Sequence, residues 1–305
     1  MTAGVVVVGD ALIDELRDDS GVREFVGGAA LNVAVGLTRL GIPATLIAMV
    51  GDDAAGSHIR SYLEDFGVEL IATPSALGSS RAVSTRSGSG EPVYVFNDAA
   101  KGRRIQFGDA ELAAITDADM VVVSCFPFDD EAQTQEFADA LAASNAPYAI
   151  DPNPRSGMLS DRDAFVAGFE KLAAGAALVK VGEDDAIMLY DDPLDALRDR
   201  LVGLGVPAVL ATQGSAGATL EAGEIVVTSP VSSFPGRIID TMGAGDAALA
   251  ATIAALVQGT PSTDEAWGAV LRSAMDVAAA TCRFEGALLR TPSALRSLDL
   301  DSIGT

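Results

Sequence analysis

The chain has 305 residues, of which 49% are hydrophobic, so it is long and apolar enough to bury a large core. Its 43 acidic residues against 20 basic ones give a formal net charge of −23. This charge argues against nucleic acid or an anionic membrane surface as a partner, because both require a basic face.

The single histidine and two cysteines limit which metal sites and disulfides the chain can form. His58 is the one histidine, so a His/Cys zinc site is nearly excluded, and we expect this residue to be partly exposed and non-catalytic. Cys125 and Cys282 lie in apolar contexts, and we expect free buried thiols rather than a disulfide. The sequence has no secretory signal pattern and no apolar run of spanning length, which predicts a cytoplasmic protein.

The first predicted element is a strand of four valines, residues 5–8, that ends at Gly9. Such an unbroken β-branched run is typical of a strand buried on both faces of a parallel sheet. The stretch that follows lacks G-x-G-x-x-G, which disfavours a dinucleotide-binding dehydrogenase. Asp14 lies just past the strand, where open α/β sheets bind ligands, although an exposed turn acid would look the same.

A glycine pair and an asparagine mark the next element. Gly27 and Gly28 allow the backbone to approach a ligand closely, and a predicted helix follows up to Gly41. Asn32, one turn into this helix, offers a donor and an acceptor to a polyol; a buried structural asparagine is the alternative. Residues 81–83 and 93–96 alternate in polarity around a Ser/Gly-rich turn, which predicts a hairpin exposed on one face.

Strands and helices alternate through the rest of the chain, which predicts a single doubly wound α/β domain over residues 1–305. The predicted strands cover residues 44–50, 120–124, 148–151, 177–181 and 208–212. The predicted helices from residue 131 onward cover residues 131–143, 161–173, 184–190, 193–204, 246–258 and 264–283.

Two loops between these elements carry polar residues suited to a ligand. Asp151-Pro152-Asn153-Pro154-Arg155 ends one strand, and its arginine is a partner for phosphate or carboxylate, or else a surface residue of a turn. Asp240-Thr241-Met242-Gly243-Ala244-Gly245-Asp246 feeds an almost wholly apolar helix. Its glycines and the helix dipole predict an anion site, beside which Asp246 can take a proton from an attacking hydroxyl; a simple helix N-terminal acid is the alternative.

Three of these motifs resemble the ribokinase/PfkB carbohydrate kinases. The loop at 240–246 is similar to the family's D-T-x-G-A-G-D, while G-G-x-x-x-N-V-A at residues 27–34 and D-P-N-x-R at 151–155 are closer to fructokinases than to ribokinases. The resemblance implies a ribokinase-like fold, a mostly parallel sheet flanked by helices, with a small β-lid from about residues 11–26 and 79–107. It implies that Asp246 is the catalytic base, that Gly243, Ala244 and Gly245 form the anion hole, and that the sugar is bound by Asp14, Gly27, Gly28, Asn32 and Arg155.

The resemblance also implies ATP and Mg²⁺ as cofactors. Thr212-Gln213-Gly214-Ser215-Ala216-Gly217 is similar to the family's nucleotide loop, so Thr212, Gly214 and Gly217 would bind the nucleotide. Asp185 replaces the family's glutamate that acts on Mg²⁺ through water, and the role stays open among residues 183–185. Asp240 would help to hold a monovalent cation, potassium.

The sequence therefore predicts an ATP-dependent sugar kinase, with fructose or a related hexose or keto sugar as the first choice of substrate. Ribose, 2-keto-3-deoxygluconate and nucleosides are phosphorylated on the same scaffold and stay open as alternatives. A non-catalytic sugar-binding protein is a further alternative, but it would need no base at Asp246. Sugar and ATP are the expected small-molecule partners, together with a second copy of the chain in a homodimer formed through the lid.

Overall fold

The computed structural model of the protein describes residues 4–18, 21–85 and 93–297. The strands in chain order are β1 (Val5–Gly9), β2 (Leu12–Asp18), β3 (Gly21–Gly27), β4 (Ala44–Met49), β5 (Glu69–Thr73), β6 (Ser80–Thr85), β7 (Val93–Phe96), β8 (Met120–Ser124), β9 (Tyr148–Asp151), β10 (Leu178–Gly182), β11 (Ala208–Thr212), β12 (Ala218–Ala222) and β13 (Ile225–Ser229). The α-helices are α1 (Ala29–Arg39), α2 (Ala54–Asp65), α3 (Asp98–Lys101), α4 (Asp109–Asp117), α5 (Glu131–Ser144), α6 (Arg162–Ala173), α7 (Glu183–Tyr190), α8 (Leu194–Gly203), α9 (Ala244–Leu256) and α10 (Asp264–Thr281).

Nine strands form a large sheet in the order β13-β12-β11-β10-β9-β8-β1-β4-β5. The strands from β11 to β5 pair in parallel, whereas β12 and β13 extend one edge as antiparallel strands. The valines of β1 are all buried, as the unbroken apolar run predicts. Helices cover both faces: α1, α2, α9 and α10 pack on one, and α5 to α8 pack on the other. This is the predicted doubly wound, mostly parallel architecture.

Four strands form a second, smaller sheet in the order β3-β2-β6-β7, and they confirm the predicted lid. β2 and β6 run in parallel across its middle, and the other two pairs are antiparallel. We call this sheet the lid. Most of the predicted Ser/Gly-rich turn falls at residues 86–92, outside the described residues.

Some boundaries differ from the predicted ones. α9 begins at Ala244 rather than at residue 246, because Gly243 adopts the left-handed conformation that caps the helix. Residues 15–26, which show no clear period, form most of the β2–β3 hairpin. β5, β12 and β13 extend the sheet beyond the predicted strands, since edge strands carry weaker hydrophobic patterns than central ones.

The remaining expectations concern single residues and the membrane. Both cysteines are free thiols, as predicted, but only Cys125 is buried and Cys282 is half-buried. His58 is exposed. None of the helices in the described part of the chain has both the length and the apolar character needed to cross a membrane.

Candidate active site

The carboxyl edge of the large sheet gathers polar side chains from distant parts of the chain. Asp14 lies in β2 shortly after β1, Asp151 ends β9, and Lys180 lies near the end of β10. Asp246 lies in the first turn of α9. Because open α/β sheets bind their ligands beyond this edge, the cluster is the candidate active site.

The loop before α9 has the geometry that an anion site requires. Gly243 is the residue before the helix and has a φ of 74°, which an L side chain rarely adopts. A Cβ at this position would also lie 2.6 Å from the carbonyl oxygen of Ala287, so glycine alone fits. The first turn of a helix presents backbone N–H groups without intrahelical partners, and the helix dipole adds positive charge there. The N–H of Ala244 donates a hydrogen bond to the carbonyl of Thr241 at 3.3 Å. The anion site predicted at Gly243, Ala244 and Gly245 therefore rests on the left-handed glycine and the helix N-terminus that follows it.

Asp246 borders this anion site and is 7% exposed. Its Oδ2 accepts a hydrogen bond from Nδ2 of Asn32 at 2.8 Å, across 214 residues of sequence. Burial raises the pKa of Asp246 to about 6, with a further increase from Asp151, against the hydrogen bond of Asn32 and the charges of Lys180 and Arg155. Most molecules are therefore ionised at neutral pH, with a basicity suited to accepting a proton from a hydroxyl.

Asp14, Gly27 and Gly28 approach the same place from the lid side. Burial raises the pKa of Asp14 to about 7, and the negative charges of Asp10 and Asp246 add to the increase. A Cβ on Gly27 would overlap Oδ2 of Asp14, so this glycine leaves the space that the carboxyl occupies. Gly28 precedes α1 with a φ of 112°. The structure thus brings together the residues predicted to bind sugar on one side of Asp246.

Arg155 follows β9 in the loop that begins at Asp151, and it is exposed. Its positive charge lowers the pKa of Asp10, Asp14 and Asp246. The guanidinium therefore offers a positive charge near these acids, as the role predicted for it requires.

Lys180 and Asp151 form an ion pair in the cluster, and neither is among the predicted site residues. The Nζ of Lys180 lies 3.2 Å from Oδ1 and 3.3 Å from Oδ2 of Asp151. Ser124 at the end of β8 donates a hydrogen bond to the same carboxylate at 3.4 Å. The available signal was a lysine inside an otherwise apolar predicted strand, residues 177–181.

The three acids at the start of α7 differ in placement. Glu183 and Asp184 are exposed, whereas Asp185 is buried and its Oδ2 accepts a hydrogen bond from the backbone N–H of Gly182 at 2.6 Å. Burial raises the pKa of Asp185 to about 6, against a lowering by Lys180. Asp185 is thus the acid of this segment that faces the cluster.

The predicted nucleotide loop lies at the end of the neighbouring strand. Thr212 ends β11, where it pairs with Gly182 of β10, and its Oγ1 donates a hydrogen bond to the carbonyl of Val181 at 3.3 Å. Gly214 begins a 3₁₀ turn, Gly214–Ala216, that Gly217 terminates. The loop thus lies beside the α7 segment at the same sheet edge.

Asp240 connects the anion loop to the turn after α10. Its Oδ1 accepts a hydrogen bond from the backbone N–H of Met242 at 3.0 Å, and its Oδ2 accepts one from that of Gly286 at 3.1 Å. The carboxylate therefore ties together two backbone segments whose carbonyl oxygens could surround a monovalent cation.

In the ranges 4–18, 21–85 and 93–297, no group of three or more His, Cys, Asp or Glu side chains is arranged to hold a metal ion. Single carboxylates of the site are still suited to the two predicted cations, Mg²⁺ and potassium. Mg²⁺ is often bound by one or two carboxylates together with water and substrate phosphates, and Asp185 can provide such a carboxylate. A monovalent cation can be bound by backbone carbonyl oxygens beside a carboxylate such as Asp240.

Known proteins share both the sequence pattern and the fold. The profile of the pfkB family carbohydrate kinase matches residues 2–293. Fructokinase from Rhizobium leguminosarum bv. trifolii is 29% identical over 262 residues, which cover 83% of this chain and 79% of that protein. Among solved structures, fructokinase from Xylella fastidiosa with bound ATP has a TM-score of 0.81 at 21% identity and covers 98% of both chains.

A second solved structure is a double mutant of fructokinase from Vibrio cholerae O395 with fructose, ADP and a potassium ion. It has a TM-score of 0.78 at 22% identity and covers 97% of both chains. The likeness to these structures confirms the ribokinase-like fold, and the family profile extends over nearly the whole chain. The chain therefore belongs to the pfkB family and is an ATP-dependent carbohydrate kinase.

Proposed function

We propose that the protein transfers the γ-phosphoryl group of ATP to a primary hydroxyl of fructose or a closely related hexose or keto sugar. The observation that carries this proposal is the hydrogen bond from Asn32 to Asp246 at the entrance of the anion site. This hydrogen bond places Asn32, which can bind a polyol, next to Asp246, whose pKa suits a general base. The similarity to fructokinases supports fructose as the sugar.

In the proposed reaction Asp246 accepts the proton of the hydroxyl as its oxygen forms a bond to the γ-phosphorus. The bond from that phosphorus to the bridging oxygen breaks, and ADP leaves with the electron pair. The backbone N–H groups of the anion loop, residues 243–245, stabilise the charge on the transferred group. Arg155 provides a further positive charge at the open side of the cleft. Asp14, Gly27, Gly28 and Asn32 hold the sugar so that its hydroxyl faces Asp246.

The nucleotide occupies the side of the cleft formed by Thr212, Gly214 and Gly217. Asp185 would hold Mg²⁺, and this ion would supply charge neutralisation for the phosphates when it is bound. Asp240 and neighbouring carbonyl oxygens would hold potassium, which would order the anion loop when it is bound. The placement of Asp185 and Asp240 described above supports these two assignments.

We also propose that residues 1–305 act as one catalytic domain, with the lid closing over the sugar. The lid carries exposed apolar residues, Val22 and Val95, which support a homodimer formed through this sheet. The free thiols of Cys125 and Cys282 and the use of ATP support a cytoplasmic location.

A coupled ADP-release assay across fructose, ribose, 2-keto-3-deoxygluconate, adenosine and inosine tests the substrate. We expect the highest kcat/KM with fructose. Asp246→Asn, purified in the same way, controls for contaminating kinases. A preference for a nucleoside would contradict the proposal. Preference for 2-keto-3-deoxygluconate would indicate that Arg155 binds a substrate carboxylate.

A further inference from the structure

The buried lysine of the site has no role in the function proposed so far. Lys101 and Lys171 are exposed on helices, whereas Lys180 is 7% exposed within β10. Its neighbours in the strand, Val179 and Val181, belong to the apolar core. An ammonium group in such surroundings loses its hydration, and this is unfavourable unless charged partners compensate.

Stability alone does not account for the pair that Lys180 forms with Asp151, which is 0% exposed. Buried ion pairs can often be replaced by uncharged side chains of similar size without loss of stability, because desolvation offsets their attraction. The strands on which both residues lie are otherwise apolar at their buried positions. The pair is therefore a candidate for a role in the reaction rather than in stability alone.

The ammonium group lies directly beside the anion loop. A Cβ on Gly245 would lie 3.2 Å from the Nζ of Lys180, so the missing side chain of this glycine leaves the ammonium uncovered on that side. Burial favours the neutral amine, but the charges of Asp151, Asp185 and Asp246 outweigh it and raise the pKa of Lys180. The group is therefore a buried positive charge on which Asp246 and Asp185 both act.

We propose that Lys180 is a further catalytic residue, whose ammonium contacts an oxygen of the phosphoryl group during its transfer, and that Asp151 positions it. This inference rests on the proposed function. Lys180 donates a hydrogen bond and keeps its proton throughout. The hydroxyl proton goes to Asp246, the new O–P bond forms, and the bond to the ADP oxygen breaks. Negative charge on the equatorial oxygens is thereby balanced by a cation that needs no rearrangement.

The test compares Lys180→Met with the double variant Lys180→Met/Asp151→Asn. The single variant leaves a buried carboxylate without its partner and can fail to fold, whereas the double variant removes both charges with little change in shape. Lys171→Met on the surface of α6 is the control lysine substitution. For each protein we would measure kcat, KM for the sugar and for ATP, and the midpoint of thermal unfolding. We would also measure the affinity of each protein for magnesium adenylyl-imidodiphosphate, a triphosphate analogue, and for ADP.

We expect the double variant to unfold near the wild-type temperature, to keep its sugar KM, and to lose about 10²-fold or more in kcat. Its preference for the triphosphate analogue over ADP should fall about tenfold, because the contact is with the terminal phosphate. A double variant with kcat within threefold of wild type would show that the pair is only structural. If the wild type phosphorylated no sugar, the proposed function would fail. The two nucleotide affinities would still decide the role of Lys180, and an unchanged preference would overturn it.

Discussion

Replacement of Asp246 by asparagine should lower activity and raise stability, and both effects follow from its buried position. Asparagine has nearly the same shape and keeps an oxygen that can accept the hydrogen bond from Asn32. It cannot take a proton from the sugar hydroxyl. We therefore expect the fold and the sugar KM to persist while kcat falls by about 10²–10⁴-fold, the usual scale for loss of a general base.

The change in stability can be calculated from the pKa of the replaced group. Folding raises the pKa of Asp246 from 3.8 to about 6, chiefly by burial. The carboxyl of Asp246 then binds a proton more tightly in the folded protein than in the unfolded chain. Ionisation of this carboxyl therefore costs more in the folded state and lowers the free energy of unfolding. The two values correspond to a loss of about 3 kcal/mol for wild type above about pH 7, and of well below 1 kcal/mol near pH 4.

Asparagine resembles the protonated carboxyl and avoids this loss. The variant should therefore be more stable than wild type by up to about 3 kcal/mol at pH 8, with the difference shrinking as the pH falls toward 4. Urea unfolding of both proteins at pH 4.5, 6 and 8 measures the trend, and the coupled assay measures kcat at pH 8. The reasoning would be refuted by turnover above a third of wild type, or by a variant destabilised equally at every pH.

Three other perturbations test separate parts of the site. Asp14→Ala should raise the sugar KM by about one to two orders of magnitude and leave the ATP KM nearly unchanged; a rise in both constants would indicate a role in lid closure. Potassium should increase kcat over a bulky organic cation at equal ionic strength, and Asp240→Asn should reduce that increase; equal rates in both salts would contradict the cation site. Gly243→Ala should lower thermal stability by about 1 kcal/mol or more and reduce kcat, because the residue has a φ of 74°; an unaffected variant would show that the loop adapts freely.

The elements that form the site could be predicted where a short stretch of sequence carries a recognisable pattern. The valine run of β1, the glycines before α1 and the loop before α9 each carry their own pattern, and the structure places them as expected. The proximity of Asn32 to Asp246 could only be inferred through the resemblance to a family, because 214 residues separate them. Their roles in binding and catalysis stay predictions.

Other features depend on the order of strands, which no local pattern determines. Lys180 meets Asp151 because β10 lies beside β9, and the Ser124 hydroxyl joins them because β8 is the next strand. The hydrogen bonds of Asp240 likewise depend on how the turn after α10 packs against the anion loop. Which of the three acids of α7 is buried also depends on the orientation of the helix, which buries Asp185 and exposes Glu183 and Asp184.

The carboxylates of the cleft create a need for positive charge when a nucleotide binds. Asp14, Asp185 and Asp246 all have raised pKa values, since each is removed from water and lies near other acids. A triphosphate would add more negative charge, so it can enter only where positive charge compensates. In the proposed function, Lys180 and Arg155 would provide part of this charge from the chain, and Mg²⁺ bound to the nucleotide would provide the rest. The acids that reduce the stability of the empty protein therefore favour the cation-bearing substrate, and removing the charge of Asp246 should weaken both effects together.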